Sequence, residues 1–139
     1  MPREMVQKPK KGYTILMVDD DTQILNTYVA ILESEGYDVL STSKGEETVD
    51  ILKNNHVDIL ILDYFMDGIT GETVIKSIRE FDKELIIILQ TGYSGKIPAL
   101  EMIERLDIQS YFSKTDGTEK LLLTIASTIK FLNQRRGIN

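Results

Sequence analysis

The chain contains no cysteine and no tryptophan, and it has one histidine and three prolines among 139 residues. Without cysteine, disulfides and thiolate metal centres are excluded, and the reducing cytoplasm is the expected compartment. The single histidine, His56, excludes multi-histidine metal sites; it stands in the polar stretch KNNHVD and is expected in an exposed loop. No apolar run approaches the ~20 residues of a membrane helix, so no membrane insertion is expected. The polar opening MPREMVQKPKKG lacks the apolar stretch of a signal peptide. Basic charge is also scarce: 16 Lys and Arg face 22 Asp and Glu, for a net charge of −6. That balance argues against direct contact with nucleic acid. What remains is the composition of one folded domain, 42% hydrophobic and 27% charged.

After residues 1–12, read as a flexible basic tail, strands and helices alternate. Strands are expected at 13–18, 37–42, 57–62, 84–90 and 108–113, and helices at 21–36, 43–55, 71–82, 97–106 and 116–136. The first helix carries Ile24, Tyr28, Ile31 and Leu32 on one face and stops at Gly36. Ser43 and Glu46 have capping-box spacing for the second helix, Thr70 can cap the third, Pro98 sits near the first turn of the fourth, and Asp116 and Glu119 can cap the last. The last helix has the stripe Leu122, Ile125, Ala126, Ile129 and Leu132. Five βα units with short links imply a parallel sheet with helices on both faces, hence an α/β fold. The first, third and fourth strands are nearly unbroken apolar runs, as central strands should be; the second and fifth carry polar residues and belong at the edges. The order 2-1-3-4-5, which is flavodoxin-like, satisfies both conditions. Ligands in such sheets bind beyond the carboxyl ends of the strands.

Those ends share a chemistry. The first strand runs into Asp19, Asp20 and Asp21, the third into Asp63, the fourth into Thr91 and the fifth into Lys114. Asp21 is placed to cap the following helix, where a carboxylate accepts backbone N–H bonds and meets the positive helix end. Asp19, Asp20 and Asp63 are then left as oxygen donors without histidine or cysteine, a set suited to a hard cation such as Mg²⁺ or Mn²⁺. A lysine and a hydroxyl beside them add donors for phosphoryl oxygens. The set supports phosphoryl transfer to a carboxylate.

These motifs, in this order over residues 13–134, resemble the receiver domain of bacterial two-component response regulators. The resemblance implies that Asp63 is a phosphoacceptor served by a sensor histidine kinase or a phosphotransfer protein. It implies that Asp20, Asp63 and the backbone carbonyl of Phe65 ligate Mg²⁺, with Asp19 acting mainly through water. Thr91 and Lys114 would contact the phosphoryl group, and Tyr111 would be the switch aromatic that turns inward when Thr91 moves. Such a domain is not an enzyme acting on separate substrates but takes part in its own phosphorylation and dephosphorylation. The face made by the fourth helix, fifth strand and fifth helix would carry the signal to an output partner or domain, and the same face can form a homodimer. Residues 135–139 would be a C-terminal tail, and both a stand-alone regulator and a segment of a longer protein are compatible with the sequence.

The chain departs from the family pattern at three places. Asp67, expected to serve the turn before Gly68, stands where proline is common. Thr115 stands where a proline, often after a cis bond, is common; a cis bond before a non-proline residue costs about 3 kcal/mol, so a trans bond is expected. Gly92 stands where alanine is usual. Phe65 and Tyr93 flank the path of the hydrolytic water in the family, and both are bulky here, so slow loss of the phosphoryl group is expected. Two other functions compete. A phosphatase of the haloacid dehalogenase type shares the donor set, but its D-x-D-x-T/V pattern fails here, because Thr22 and Gln23 follow Asp21. A receiver-like interaction module that is never phosphorylated is the other.

Overall fold

The computed structural model describes residues 8–92 and 99–137. The strands are β1 (Thr14–Val18), β2 (Asp38–Thr42), β3 (Ile59–Asp63), β4 (Phe65–Met66), β5 (Ile69–Thr70), β6 (Ile86–Thr91) and β7 (Ser110–Ser113). The helices are α1 (Thr22–Ser34), α2 (Thr48–Asn54), α3 (Gly71–Arg79), α4 (Ala99–Arg105) and α5 (Thr118–Arg135). Five strands form one parallel sheet in the order β2-β1-β3-β6-β7. This is the expected 2-1-3-4-5 order, renumbered because β4 and β5 form a separate antiparallel hairpin. The polar strands β2 and β7 lie at the edges, as read from the sequence.

Alternation along the strands divides the core in two. Ile15, Met17, Ile59, Ile61, Ile86, Ile88 and Phe112 face α1 and α5, meeting Leu25, Tyr28, Leu32, Leu121 and Ile125. Leu16, Val18, Leu60, Leu62, Ile87 and Leu89 face the other way, against Val74, Ile75 and Ile78 of α3 and the partly buried Val49, Ile51 and Leu52 of α2. Each such aliphatic side chain contributes roughly 1.5–3 kcal/mol by leaving water. Because both faces of β3 are covered, it is buried along its whole length.

Several local expectations are corrected. Ser43 and Glu46 do not cap α2: a 3₁₀ turn at Gly45–Glu47 precedes it, and Thr42 Oγ1 accepts the Lys44 N–H at 3.1 Å and bonds Glu47 Oε1 at 2.5 Å. Asp116 and Glu119 do not cap α5, which starts from Gly117 without a side-chain cap. In α5 Leu121 is buried and Ala126 exposed, so the stripe is rotated from the one expected. Leu25, missing from the expected face of α1, is buried there. Residues 8–12 are not a free tail: the Lys8 and Lys11 N–H groups donate to the Ser34 and Gly36 carbonyls at 2.9 Å. Residues 1–7, and the expected role of Pro98, lie outside the described residues. Gly36 does end α1, at φ +100°, and a Cβ there would meet the Pro9 carbonyl oxygen at 2.1 Å.

Candidate functional site

The carboxyl ends of β1, β3, β6 and β7 form one rim, and the sequence sets each donor there in a definite way. Asp21 caps α1, its Oδ1 accepting the Gln23 and Ile24 N–H groups at 3.0 and 3.2 Å. That turn brings the Asp21 N–H onto Asp19 Oδ1 at 2.9 Å. Asp19 is fully buried and Asp63 is 3% exposed, whereas Asp20 is half-buried. Lys114 bridges the two buried acids, its Nζ lying 2.7 Å from Asp19 Oδ2 and 3.2 Å from Asp63 Oδ2. The shorter of the two contacts is to Asp19.

Asp19, Asp20 and Asp63 each offer a carboxylate oxygen within 4.8 Å of the others. At such a separation two carboxylates repel by roughly 3–4 kcal/mol at an effective dielectric near 20. One lysine leaves two negative charges uncompensated. The Asp63 carboxyl is accordingly pushed up to about 7, first by burial and then by Asp19, while Lys114 pulls it down and Asp20 pushes it further up. Burial lowers the Lys114 ammonium, but its bonds to Asp19 and Asp63 outweigh that, and the net direction is up. Direct ligands of Mg²⁺ at 2.0–2.1 Å stand no more than about 4.2 Å apart. The three acids form an all-oxygen donor cluster of the kind that suits a hard divalent cation.

The loop after Asp63 shapes the mouth. Met66-Asp67-Gly68-Ile69 is a tight hairpin turn with Gly68 at φ +79°, the turn role expected of Asp67. Because residue 67 is not proline, it has an N–H, and that N–H donates to Asp20 Oδ2 at 3.0 Å. Thr70 caps α3 by accepting the Thr73 N–H at 3.3 Å, as read from the sequence. The hairpin packs tightly on Gly45, where a Cβ would meet Ile69 Cγ2 at 2.6 Å. Phe65 is half-buried, its ring edge-on to Tyr64 with centroids 4.7 Å apart. Together with Asp20, Asp63, Met66, Gly92 and Lys114 it lines an open cleft of about 340 Å³.

Thr91 is 1% exposed at the end of β6, opposite Ser113 of β7. Tyr111 is half-buried against the α2–α3 side of the core, and burial followed by Asp116 raises its hydroxyl. The Lys114–Thr115 bond is trans; Thr115 donates its N–H to Ser113 Oγ at 3.3 Å, which proline could not do. Tyr93 lies outside the described residues. His56 is exposed as expected, but its ring nitrogen sits 3.0 Å from the buried Asp58. Two participants were missed by sequence reasoning. Gln90, one residue before Thr91, donates Nε2 to Asp19 Oδ2 at 3.3 Å. Asp58, at the opposite end of the sheet, accepts from Thr14 and Arg136. A polar residue closing the apolar run of β6, with no loop after it, was the signal for the first; for the second there was none.

Comparison with known proteins agrees with this geometry. A family model described as the response regulator receiver domain matches residues 15–126. The chemotaxis protein CheY of Treponema pallidum is 32% identical over 128 residues, covering 89% of this chain and 88% of CheY. The response regulator TrrA of Thermotoga maritima, solved in complex with Mg²⁺ and BeF, superposes with a TM-score of 0.74 at 30% identity, covering 83% of this chain and 97% of TrrA. A CheY-like receiver domain of Methanospirillum hungatei gives a TM-score of 0.80 at 24% identity, covering 88% and 98%. Other curated relatives, three transcriptional regulators and a sensor kinase, are longer, and the chain spans 18–51% of their lengths.

Proposed function

This chain belongs to the response regulator receiver domain family, and from that membership we propose that it takes a phosphoryl group onto Asp63 from a phosphohistidine of a sensor histidine kinase or phosphotransfer protein. The observation that carries the reading is the meeting of the buried Asp19 with Asp20, Asp63 and Lys114, the last three lining one cleft. A carboxylate oxygen of Asp63 attacks phosphorus, the P–N bond breaks, and the imidazole leaves with the electron pair. Lys114 steadies the oxygens that gain charge, and the Thr91 hydroxyl donates to one of them. Asp20, Asp63 and the Phe65 carbonyl would hold Mg²⁺ or Mn²⁺ directly and Asp19 through water; bound there, the ion neutralises phosphoryl charge.

The test is incubation with a small phosphodonor, with and without Mg²⁺, on the parent and on Asp63→Asn. Metal-dependent gain of one phosphoryl mass by the parent alone is expected; equal labelling of Asp63→Asn would overturn the assignment. No gain by the parent under any condition would favour an interaction module that works without phosphorylation.

In this reading the new charge draws Thr91 and Lys114 inward, Tyr111 follows, and the α4–β7–α5 face changes its affinity for an output partner or for a second copy. The protein works in the cytoplasm, as an acceptor rather than an enzyme with turnover on a separate substrate. Phe65, half-buried at the cleft, shields the acyl phosphate from water. The phosphorylated form should persist for minutes or longer with Mg²⁺, and decay within seconds would refute the shielding.

A further inference from the structure

Gln90 ends an apolar run. It follows Ile86, Ile87, Ile88 and Leu89 in β6, and its side chain is completely buried. By strand alternation it faces the same side as Ile86 and Ile88, toward α1 and α5. Its Nε2 donates to Asp19 Oδ2, the same oxygen that receives Lys114 Nζ. The opposite amide orientation would set oxygen against carboxylate, so the donor end belongs at Asp19. The other end is unserved: Gln90 Oε1 is buried and has no hydrogen-bond partner among the described residues. A buried acceptor without a donor is destabilising, and an apolar residue would avoid it.

What the amide does is visible from what residue 90 joins. Its carbonyl accepts the N–H of Tyr64, the residue after Asp63, at 2.9 Å. It stands opposite Asp63 in the sheet register and is bonded to Thr91. Its side chain reaches Asp19. One residue thus ties the ends of β1 and β3 to β6 at the positions where the acids emerge.

We propose that Gln90 is a positioning residue that holds Asp19 in its cation-facing orientation and so sets the affinity of the cleft for a divalent cation. The proposal rests on the phosphoacceptor reading above. Among the described residues Asp19 has three donors: the Asp21 N–H, Lys114 and Gln90. Lys114 is shared with Asp63 at 3.2 Å, so added negative charge on Asp63 draws it away from Asp19. The neutral amide, packed in the core, stays. Asp19 keeps a side-chain donor whichever acid the lysine serves. Partners that orient a metal ligand in this way typically govern affinity by tenfold or more.

The test is calorimetric titration of Mg²⁺ into the wild-type chain, Gln90→Leu and Gln90→Met, with thermal unfolding of each in chelator. Mg²⁺ affinity is expected to fall about tenfold in both variants, while the metal-free melting temperature stays the same or rises. The unbranched methionine serves if the leucine variant does not fold. In the wild type, the Gln90 side-chain NH₂ resonances should shift with the same half-saturation as the calorimetric curve. Unchanged affinity in a folded variant, or no shift of those resonances, would overturn the role. Affinity and melting temperature falling together would reduce Gln90 to a packing residue and also overturn it. If the wild type binds no Mg²⁺, the phosphoacceptor reading fails and this one falls with it; if it binds and is phosphorylated while the variants match it, only the role of Gln90 is lost.

Discussion

Two buried aspartates flank one strand, and they have opposite fates. Asp58 stands just before β3 and Asp63 at its end, five residues on; both are nearly inaccessible, at 6% and 3%. Asp58 has donors on each oxygen. Thr14 N–H reaches Oδ2 at 2.9 Å, Arg136 reaches Oδ1 at 2.7 Å, and His56 lies 3.0 Å from the same atom. Burial alone would raise its carboxyl, but these bonds and the charge of His56 win, and the net direction is down. Asp63 shares one lysine with Asp19, has a second acid beyond, and is pushed up to about 7. Burial is common to both. The surrounding charge decides whether the carboxylate is settled, as at a structural joint, or held at a cost, as beside two other acids.

The contrast can be broken first at Asp58. Asp58→Ala leaves the Thr14 N–H without its acceptor and Arg136 without its anion, and should cost about 2–3 kcal/mol in denaturant unfolding. Asp63→Asn should act in the opposite sense, stabilising the metal-free protein by about 1–2 kcal/mol above pH 7, because it removes a carboxylate that the fold resists ionising. The sign of each pH dependence follows. The folded value of Asp63, about 7, lies above the ordinary 3.8. Its contribution is therefore full below about pH 4 and is lost as pH rises through 7. Asp58 has a folded value below 3.8, so its contribution is present above about pH 4 and is lost as pH falls further. Unfolding curves of the parent and the two variants, taken in chelator from pH 3 to 8, would separate these limbs. A parent curve without a decline between pH 4 and 7 that Asp63→Asn removes would contradict the raised value.

The smallest effect concerns Asp20, which has one backbone donor from the hairpin. Asp67→Pro removes that N–H, while Asp67→Ala keeps it and removes only the carboxylate. Asp67 precedes Gly68 at φ +79°, the place at which type II turns commonly carry proline. Mg²⁺ affinity should be about threefold weaker in Asp67→Pro than in Asp67→Ala, the size of a weak hydrogen bond. Equal affinities by calorimetry would show that Asp20 needs no help from the loop.

The sheet order and the gathering of Asp19, Asp20, Asp63, Thr91 and Lys114 at one rim were legible because buried strands and helix periodicity set both, and residues ending parallel strands must meet at one edge. Details that depend on competition were not. At the turn before α2 it is Thr42, not Ser43, whose hydroxyl accepts a backbone N–H, that of Lys44. The run Leu121-Leu122-Leu123 offers apolar side chains at every angle, so pattern alone could not choose Leu121. The hairpin was too short to show a period, although Asp67-Gly68 is a hairpin signal. Arg136 was read as tail, because nothing local ties it to Asp58, 78 residues earlier. Gln90 was read as the last letter of a strand; its purpose is visible only beside Asp19.

Gly45 has a mechanical consequence. With Met66 Cε 3.0 Å from where its Cβ would be, as well as the Ile69 methyl, the hairpin is wedged against the turn that precedes α2. The lip of the cleft that carries Phe65 and Asp67 thus rests on a position without room for a side chain. A residue larger than glycine at 45 would have to displace the Met66 and Ile69 side-chain ends, so that lip keeps its seat by virtue of an atom that is not there.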